Sequence, residues 1–190
     1  MPMIRETILT TVDSAGFVHL APLGLIQDGE EWIIAPFRPS RTLDNLRAVP
    51  LAAANYTDDV RIFAGCLTGR LQWPTVACDR IPVPRLAGAL AHAELAVDRV
   101  IEDKERPRFR CRVLRMATHA PFQGFNRAQA AVIEAAILVS RLEVLPREKI
   151  EKEIAYLQIA VGKTAGAAEQ QAWRWLMERI SVRYAGEGRL

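Results

Sequence analysis

Hydrophobic and polar residues follow two different rhythms along this chain. Up to about residue 120 they come in short, β-branched runs separated by turns, and beyond it they recur at helical spacing. Ile4 to Val12 is a near-alternating strand. Asp13-Ser14-Ala15-Gly16 turns the chain, and Phe17 to Leu25 is the partner strand of a hairpin. Gln27-Asp28-Gly29-Glu30 makes a second turn into Trp32-Ile33-Ile34-Ala35, which stops at Pro36 and Pro39. Ser40 to Val49 fits a short helix with Leu43 and Leu46 on one side, broken by Pro50. Leu51 to Thr57 is a strand poor in bulk, and Val60 to Leu67 suits a strand or a short helix equally. Gly69 to Pro84 reads as a long, proline-containing loop. Two further strands are expected at Ala91 to Ile101 and Arg108 to Thr118. Six or seven short strands with one helix among them are best closed as an antiparallel barrel.

The tail predicts three helices. Asn126 is a good N-cap with Gln129 three residues on, an analogue of the capping box. Ala128, Val132, Ala135, Val139 and Leu142 then recur at helical spacing, and Ile133 and Ile137 make this helix apolar nearly all round, so it should be buried. Pro146 and Gly162 bracket a second helix with Ile150, Ile154, Leu157 and Val161 on one face. A third runs from about Ala167 to Tyr184. The fold class is therefore α+β and mainly β, with residues 1–120 forming the barrel and 121–190 a helical subdomain.

The whole-chain numbers narrow the function classes. The chain has 190 residues, of which 50% are hydrophobic and 25% charged, a globular balance. Its 25 basic and 22 acidic side chains leave a formal charge of +3, with the arginines dispersed and no nucleic-acid reader motif. Cys66, Cys78 and Cys111 are widely spaced and form no CxxC pair, which points to reduced thiols in a cytoplasmic protein. No signal peptide and no membrane span are expected. His19, His92 and His119 show no ligand spacing to one another or to a cysteine, so no metal is expected. Gly162-Lys163-Thr164 lacks the first glycine of a P-loop and follows a helix instead of a strand.

Three stretches could carry chemistry. In Phe37-Arg38-Pro39-Ser40-Arg41-Thr42-Leu43-Asp44-Asn45, two arginines and two hydroxyls converge on a fresh helix N-terminus. Such a set suits a phosphate monoester, though the same residues also suit a plain helix cap with solvated arginines. Pro22 and Gly24, either side of Leu23, should make their strand bulge or lie at an edge, where a planar ligand can approach the backbone. Asn55, polar in an apolar strand, needs partners from either a ligand or a neighbouring loop.

With these residues in view, the chain resembles the flavin-reductase-like FMN-binding split barrels, and most closely the family of the domain of unknown function 447. The resemblance rests on Arg5-Glu6-Thr7-Ile8, Ala21-Pro22-Leu23-Gly24, Pro36-Phe37 with Ser40, Thr42, Asn45 and Leu46, Asn55-Tyr56-Thr57-Asp58-Asp59, and Phe63-Ala64. Asn126-Arg127-Ala128, Val132-Ile133-Glu134-Ala135 and Ser140-Arg141-Leu142 continue it into the tail.

The resemblance implies a homodimer with FMN held between subunits. It carries the phosphate role to Ser40, Thr42 and to Arg38 or Arg41, and places the flavin ring near Pro22, Leu23, Gly24 and Asn55. Phe37, Asn45 and Thr57 complete the candidate cofactor-binding set. No catalytic residue stands out. The expected function is an FMN oxidoreductase of unassigned substrate. The alternatives are a non-catalytic flavin carrier, or a barrel holding a deazaflavin, a haem or a pterin. The apolar Ala128–Leu142 helix and the flat Ala52–Ala54 strand are expected to seek a second chain.

Overall fold

The computed structural model describes residues 2–185. They form two compact units. The first comprises the residues up to Thr57 together with Gln72–Phe122, and the second comprises Asp58–Leu71 with the described residues from Gln123 onward.

The first unit is a closed antiparallel barrel. Its strands are β1 (Met3–Val12), β2 (Val18–Asp28), β3 (Glu31–Ile34), β4 (Leu51–Tyr56), β7 (Ala91–Ile101) and β8 (Arg108–Thr118), in the order β1-β2-β3-β8-β7-β4 and back to β1. The helix α1 (Arg41–Ala48) leads into β4. Two short strands, β5 (Thr75–Val76) and β6 (Arg85–Leu86), pair with each other inside the stretch expected to be loop. Leu9, Leu25, Trp32, Ile34, Leu95 and Phe109 fill the barrel, and Leu43 and Leu46 of α1 join them.

The pattern on β1 is not the half-buried alternation its sequence suggests, because Thr7 to Val12 are buried on both faces. Asn45 of α1 donates from Nδ2 to Thr11 Oγ1 at 3.0 Å, which seats the helix on that strand.

β4 is also buried on both faces. Ala52 and Ala54 face the barrel interior, while Ala53 packs with Val12, Ile81 and Val83. The flat alanine strand thus receives the loop after β5 of its own chain, and no second chain is needed to cover it.

The second unit contains α2 (Val60–Leu67), α3 (Arg127–Val139), α4 (Arg147–Thr164) and α5 (Ala167–Ala185). Residues 60–67 are helical, started by Asp59, whose carboxylate accepts from Arg61 N at 3.1 Å. α3 is apolar on nearly every side, as its sequence implies, but the covering surfaces belong to the same unit. Val60 and Ala64 of α2, Ile150 and Val161 of α4, and Trp173 and Leu176 of α5 enclose it. Asn126 caps α3 by accepting from Ala128 N at 2.8 Å. Gln129 reaches Glu169 instead of closing a capping box. α4 runs on past Gly162 to Thr164. Among the described residues no helix is long and apolar enough to cross a membrane.

Candidate functional site

Everything that follows lies within the barrel unit. β2 pairs with β1 without a register break from Val18 to Gln27, whereas β3 meets β2 only at Ile26 to Asp28. Among the described residues, one side of β2 from Val18 to Leu25 therefore has no ladder partner, and Pro22, which has no N–H to offer, sits on that open edge. The expected irregularity is an edge, not a bulge. Pro22, Leu23 and Gly24 are half-buried there, and Leu23 O accepts from Thr7 Oγ1 at 2.8 Å. The space left by the missing side chain of Gly24 is already taken, since a Cβ would stand 2.8 Å from Ile4 Cγ2. Gly24 admits its own neighbour on β1.

α1 begins beside this edge. Ser40 is its N-cap, with Oγ accepting from Leu43 N at 3.3 Å, so its O–H remains free to donate. Thr42 and Asn45 are buried and Arg41 is exposed.

The two arginines are not equivalent. Arg38 lies across the β7–β8 turn. Its backbone N–H donates to Glu105 O at 2.9 Å, its Nε to Asp103 O at 3.1 Å, and its guanidinium pairs with Glu102, which also holds Arg47. Among the described residues Arg41 has no ion-pair partner. Its charge reaches His19 on β2 instead: burial first, and then Arg41, hold the His19 imidazole below its ordinary pKa. His19 thus belongs to this corner although its place in the sequence does not mark it. Phe37 is exposed, and Arg106 stacks on its ring at 4.3 Å while donating to Ala35 O from Nε and Nη2 at 3.1 and 2.9 Å.

Asn55 finds partners within the chain itself. Its Nδ2 donates to Ile8 O, Thr10 Oγ1 and Ala53 O at 2.8, 2.9 and 3.1 Å, and its Oδ1 accepts from Leu86 N at 2.8 Å. With its donors and acceptor engaged in a fully buried setting, Asn55 ties β6 to the barrel. The next residue differs. The Tyr56 hydroxyl is buried with no hydrogen-bond partner among the described residues, and burial raises its pKa against a smaller opposing pull from Arg5. A buried phenol without a partner is costly, which makes Tyr56 a better candidate than Asn55 for contact with a bound group. Thr57 follows β4 and is half-buried.

The Tyr56 phenol stands on β4, across β1 from β2, while the open backbone edge, the two hydroxyls and the unpaired arginine are group types that suit a flat ligand with an anionic end. Helix N-termini favour phosphate there. The two thiols of this unit are not activated: burial pushes Cys78 and Cys111 each up to about 12.

A second cluster of side chains lies elsewhere on the barrel. Cys78, His92 and Glu94 bring their ligand atoms within 4.8 Å of one another, and His119 bonds His92. Sequence spacing predicts no such meeting; the antiparallel β7–β8 pairing and the β5–β6 loop produce it.

The barrel and its open-edged strand define a split β-barrel protein of flavin-reductase-like architecture. The family model described as "Protein of unknown function (DUF447) N-terminal domain" matches residues 5–120, and that described as "Protein of unknown function (DUF447)" matches 126–178. The chain belongs to this DUF447 family. Among solved structures it is similar to an FMN-bound protein of the same family from Methanosarcina mazei. The identity is 22%, the TM-score 0.82, and the match covers 93% of this chain and 94% of that one. It is also similar to the styrene monooxygenase flavin reductase from Pseudomonas putida, at 16% identity and a TM-score of 0.51, over 60% of this chain and 81% of that one. A flavoredoxin from Methanosarcina acetivorans matches at 14% identity and a TM-score of 0.52, over 62% of this chain and 69% of that one. No curated protein matches the sequence.

Proposed function

We propose that this protein binds FMN and serves as a cytoplasmic, homodimeric flavin-dependent oxidoreductase. The observation that carries the reading is the pairing of an open β2 edge with a helix N-terminus whose arginine is uncommitted. It occurs in a family with an FMN-bound member of the same fold over nearly the whole chain. In this reading Ser40 and Thr42 donate hydroxyls to the phosphate, Arg41 and the first N–H groups of α1 supply positive charge, and His19 borders the anion. Pro22 and Leu23 lie along the ring, and the Tyr56 hydroxyl reaches a polar atom of the bound group. Bound flavin would supply the redox chemistry, and these residues would hold and orient it.

The dimer is supported by exposed apolar side chains on the barrel strands, among them Met3, Ile4, Leu114 and Met116. The helix α3 and the alanine strand no longer argue for it, since each is covered within its own unit. Three free thiols suit a reducing compartment.

The test is the absorption spectrum of freshly purified protein, followed by identification of the extracted cofactor. FMN is expected, because no GxGxxG turn exists to take a pyrophosphate. FAD, or no flavin after saturation, overturns the proposal. Reduction of the bound flavin by a nicotinamide donor then separates an oxidoreductase from a carrier.

A further inference from the structure

His92 and Glu94 stand two residues apart on β7, so both side chains project from the same face. Both are buried, with 1% and 0% of their surface exposed. The β5–β6 loop folds over them. Its Asp79 N donates to Glu94 Oε1 at 3.0 Å and its Arg80 N to Oε2 at 2.7 Å, which brings Cys78 against the pair. His92 Nε2 faces Glu94 Oε1 at 3.3 Å, and on its other side His92 Nδ1 meets His119 Nε2 at 2.9 Å. Arg115 has its Nε 4.0 Å from Glu94 Oε1 but is itself paired with Asp79 at 2.7 Å.

We propose that Cys78, His92 and Glu94 form a binding site for one zinc-class divalent metal ion, with His119 orienting His92. A thiolate, an imidazole and a carboxylate are the donor types zinc takes. Tetrahedral bonds of about 2.0–2.3 Å place neighbouring ligand atoms roughly 3.3–3.7 Å apart. The His92–Glu94 separation already falls at that spacing, and Cys78 lies within 4.8 Å of both, close enough to be brought in by rotation of its side chain. The arrangement behind the ligands matches as well. A histidine bound to metal through one ring nitrogen donates its other N–H to an acceptor that fixes the ring. The 2.9 Å contact between His92 Nδ1 and His119 Nε2 suits that role once His92 Nε2 turns to the ion. Glu94 is oriented in the same way by its two backbone donors, and each of its oxygens keeps a lone pair.

Three protein ligands leave a fourth position open. Cys78 also lines a surface cleft of about 490 Å³ together with Val12, Val18 and Ile81, which gives an ion a route in. A thiolate is the form that binds metal, so the Cys78 proton leaves to solvent as the ion enters. The soft sulfur with a borderline nitrogen favours zinc-like ions over magnesium or calcium.

The experiment titrates the full-length, metal-stripped protein with Co²⁺ and, in competition, Zn²⁺. We expect one ion per chain, a thiolate-to-cobalt charge-transfer band in the near ultraviolet, and loss of that band when zinc displaces cobalt. Cys78→Ser should abolish the band while the protein keeps its melting transition. His119→Ala, at an exposed position, should weaken zinc binding roughly 10- to 100-fold with the band retained. A folded wild-type protein that shows no charge-transfer band overturns the site. So does a band that persists in Cys78→Ser, which would assign the sulfur to Cys66 or Cys111. Unchanged zinc affinity in His119→Ala removes the orienting role of that residue.

Discussion

Replacing Arg41 with Ala should cripple FMN binding, and replacing Arg38 with Ala should not. On sequence the two arginines flank Ser40 almost symmetrically. In the structure Arg38 is spent on the β7–β8 turn, through its bond to Asp103 O and its pairing with Glu102. Arg41 projects from the start of α1 with no ion-pair partner among the described residues. A hydrogen bond to a charged group contributes about 1.5–3 kcal/mol, so Arg41→Ala should loosen FMN roughly 10- to 150-fold. Arg38 could help only by leaving an exposed ion pair that contributes at most about 1 kcal/mol, so its removal should alter affinity by about fivefold or less. Quenching of FMN fluorescence on titration with apo-protein measures both variants, and a thermal melt of each confirms that the fold survives. Near-wild-type affinity in Arg41→Ala with a large loss in Arg38→Ala would refute the assignment. It would mean that the Arg38–Glu102 pair opens when ligand binds.

Removing both hydroxyls in Ser40→Ala/Thr42→Ala should weaken FMN roughly hundredfold or more; unchanged affinity in the same titration moves the phosphate elsewhere. Asn55→Ala strips the bonds to Ile8, Thr10 and Ala53 and strands the buried Leu86 N–H. Urea unfolding should show a loss of about 2–4 kcal/mol, and a loss below about 1 kcal/mol would contradict its tying role. The His19 pKa is depressed in the free protein, so stability from its neutral form is present above the unfolded value of 6.5 and is lost as pH falls through the folded one. A phosphate beside His19 reverses that depression. FMN should then bind more tightly as pH falls from about 8 towards 6.5, with the trend absent in His19→Asn; a flat profile in the wild type counts against a phosphate there. Dilution to monomers should release flavin, read by light scattering alongside flavin fluorescence, and a monomer that retains it would refute a shared site.

Most strands and helices were legible because their signals are local. The turn at Asp13 to Gly16, the prolines after Ala35 and the cap at Asn126 each act within a few residues. Residues 60–67 read equally as strand or helix, since a segment of eight residues that is apolar apart from Arg61 is too short to show a period. Their one local cue was Asp59 as a cap. The two-residue strands β5 and β6 exist only because of their pairing and leave no pattern to read. The site divided on the same line. Ser40 at a helix start and Pro22 on a strand edge follow from residue type, but Arg38 is engaged by Glu102, 64 positions away. Asn55 is satisfied by Leu86, 31 positions on, and His92 meets Cys78 only when the loop folds back. Residue identity announces a capacity for bonding, and long-range topology decides whether that capacity is still available.

The chain leaves the barrel unit at Asp58, returns at Gln72, and leaves again at Gln123. As the ribosome makes this protein, every barrel strand emerges before α3 exists. Val60 and Ala64 of α2, fully covered at the end, must wait with their apolar face unmet until the last third of the chain arrives. A truncation at residue 120, where sequence and family boundaries both invite a cut, would freeze that unfinished state. It would yield a barrel carrying an orphaned greasy helix, prone to aggregate. Any minimal barrel would have to shorten the 58–71 excursion as well as drop the tail.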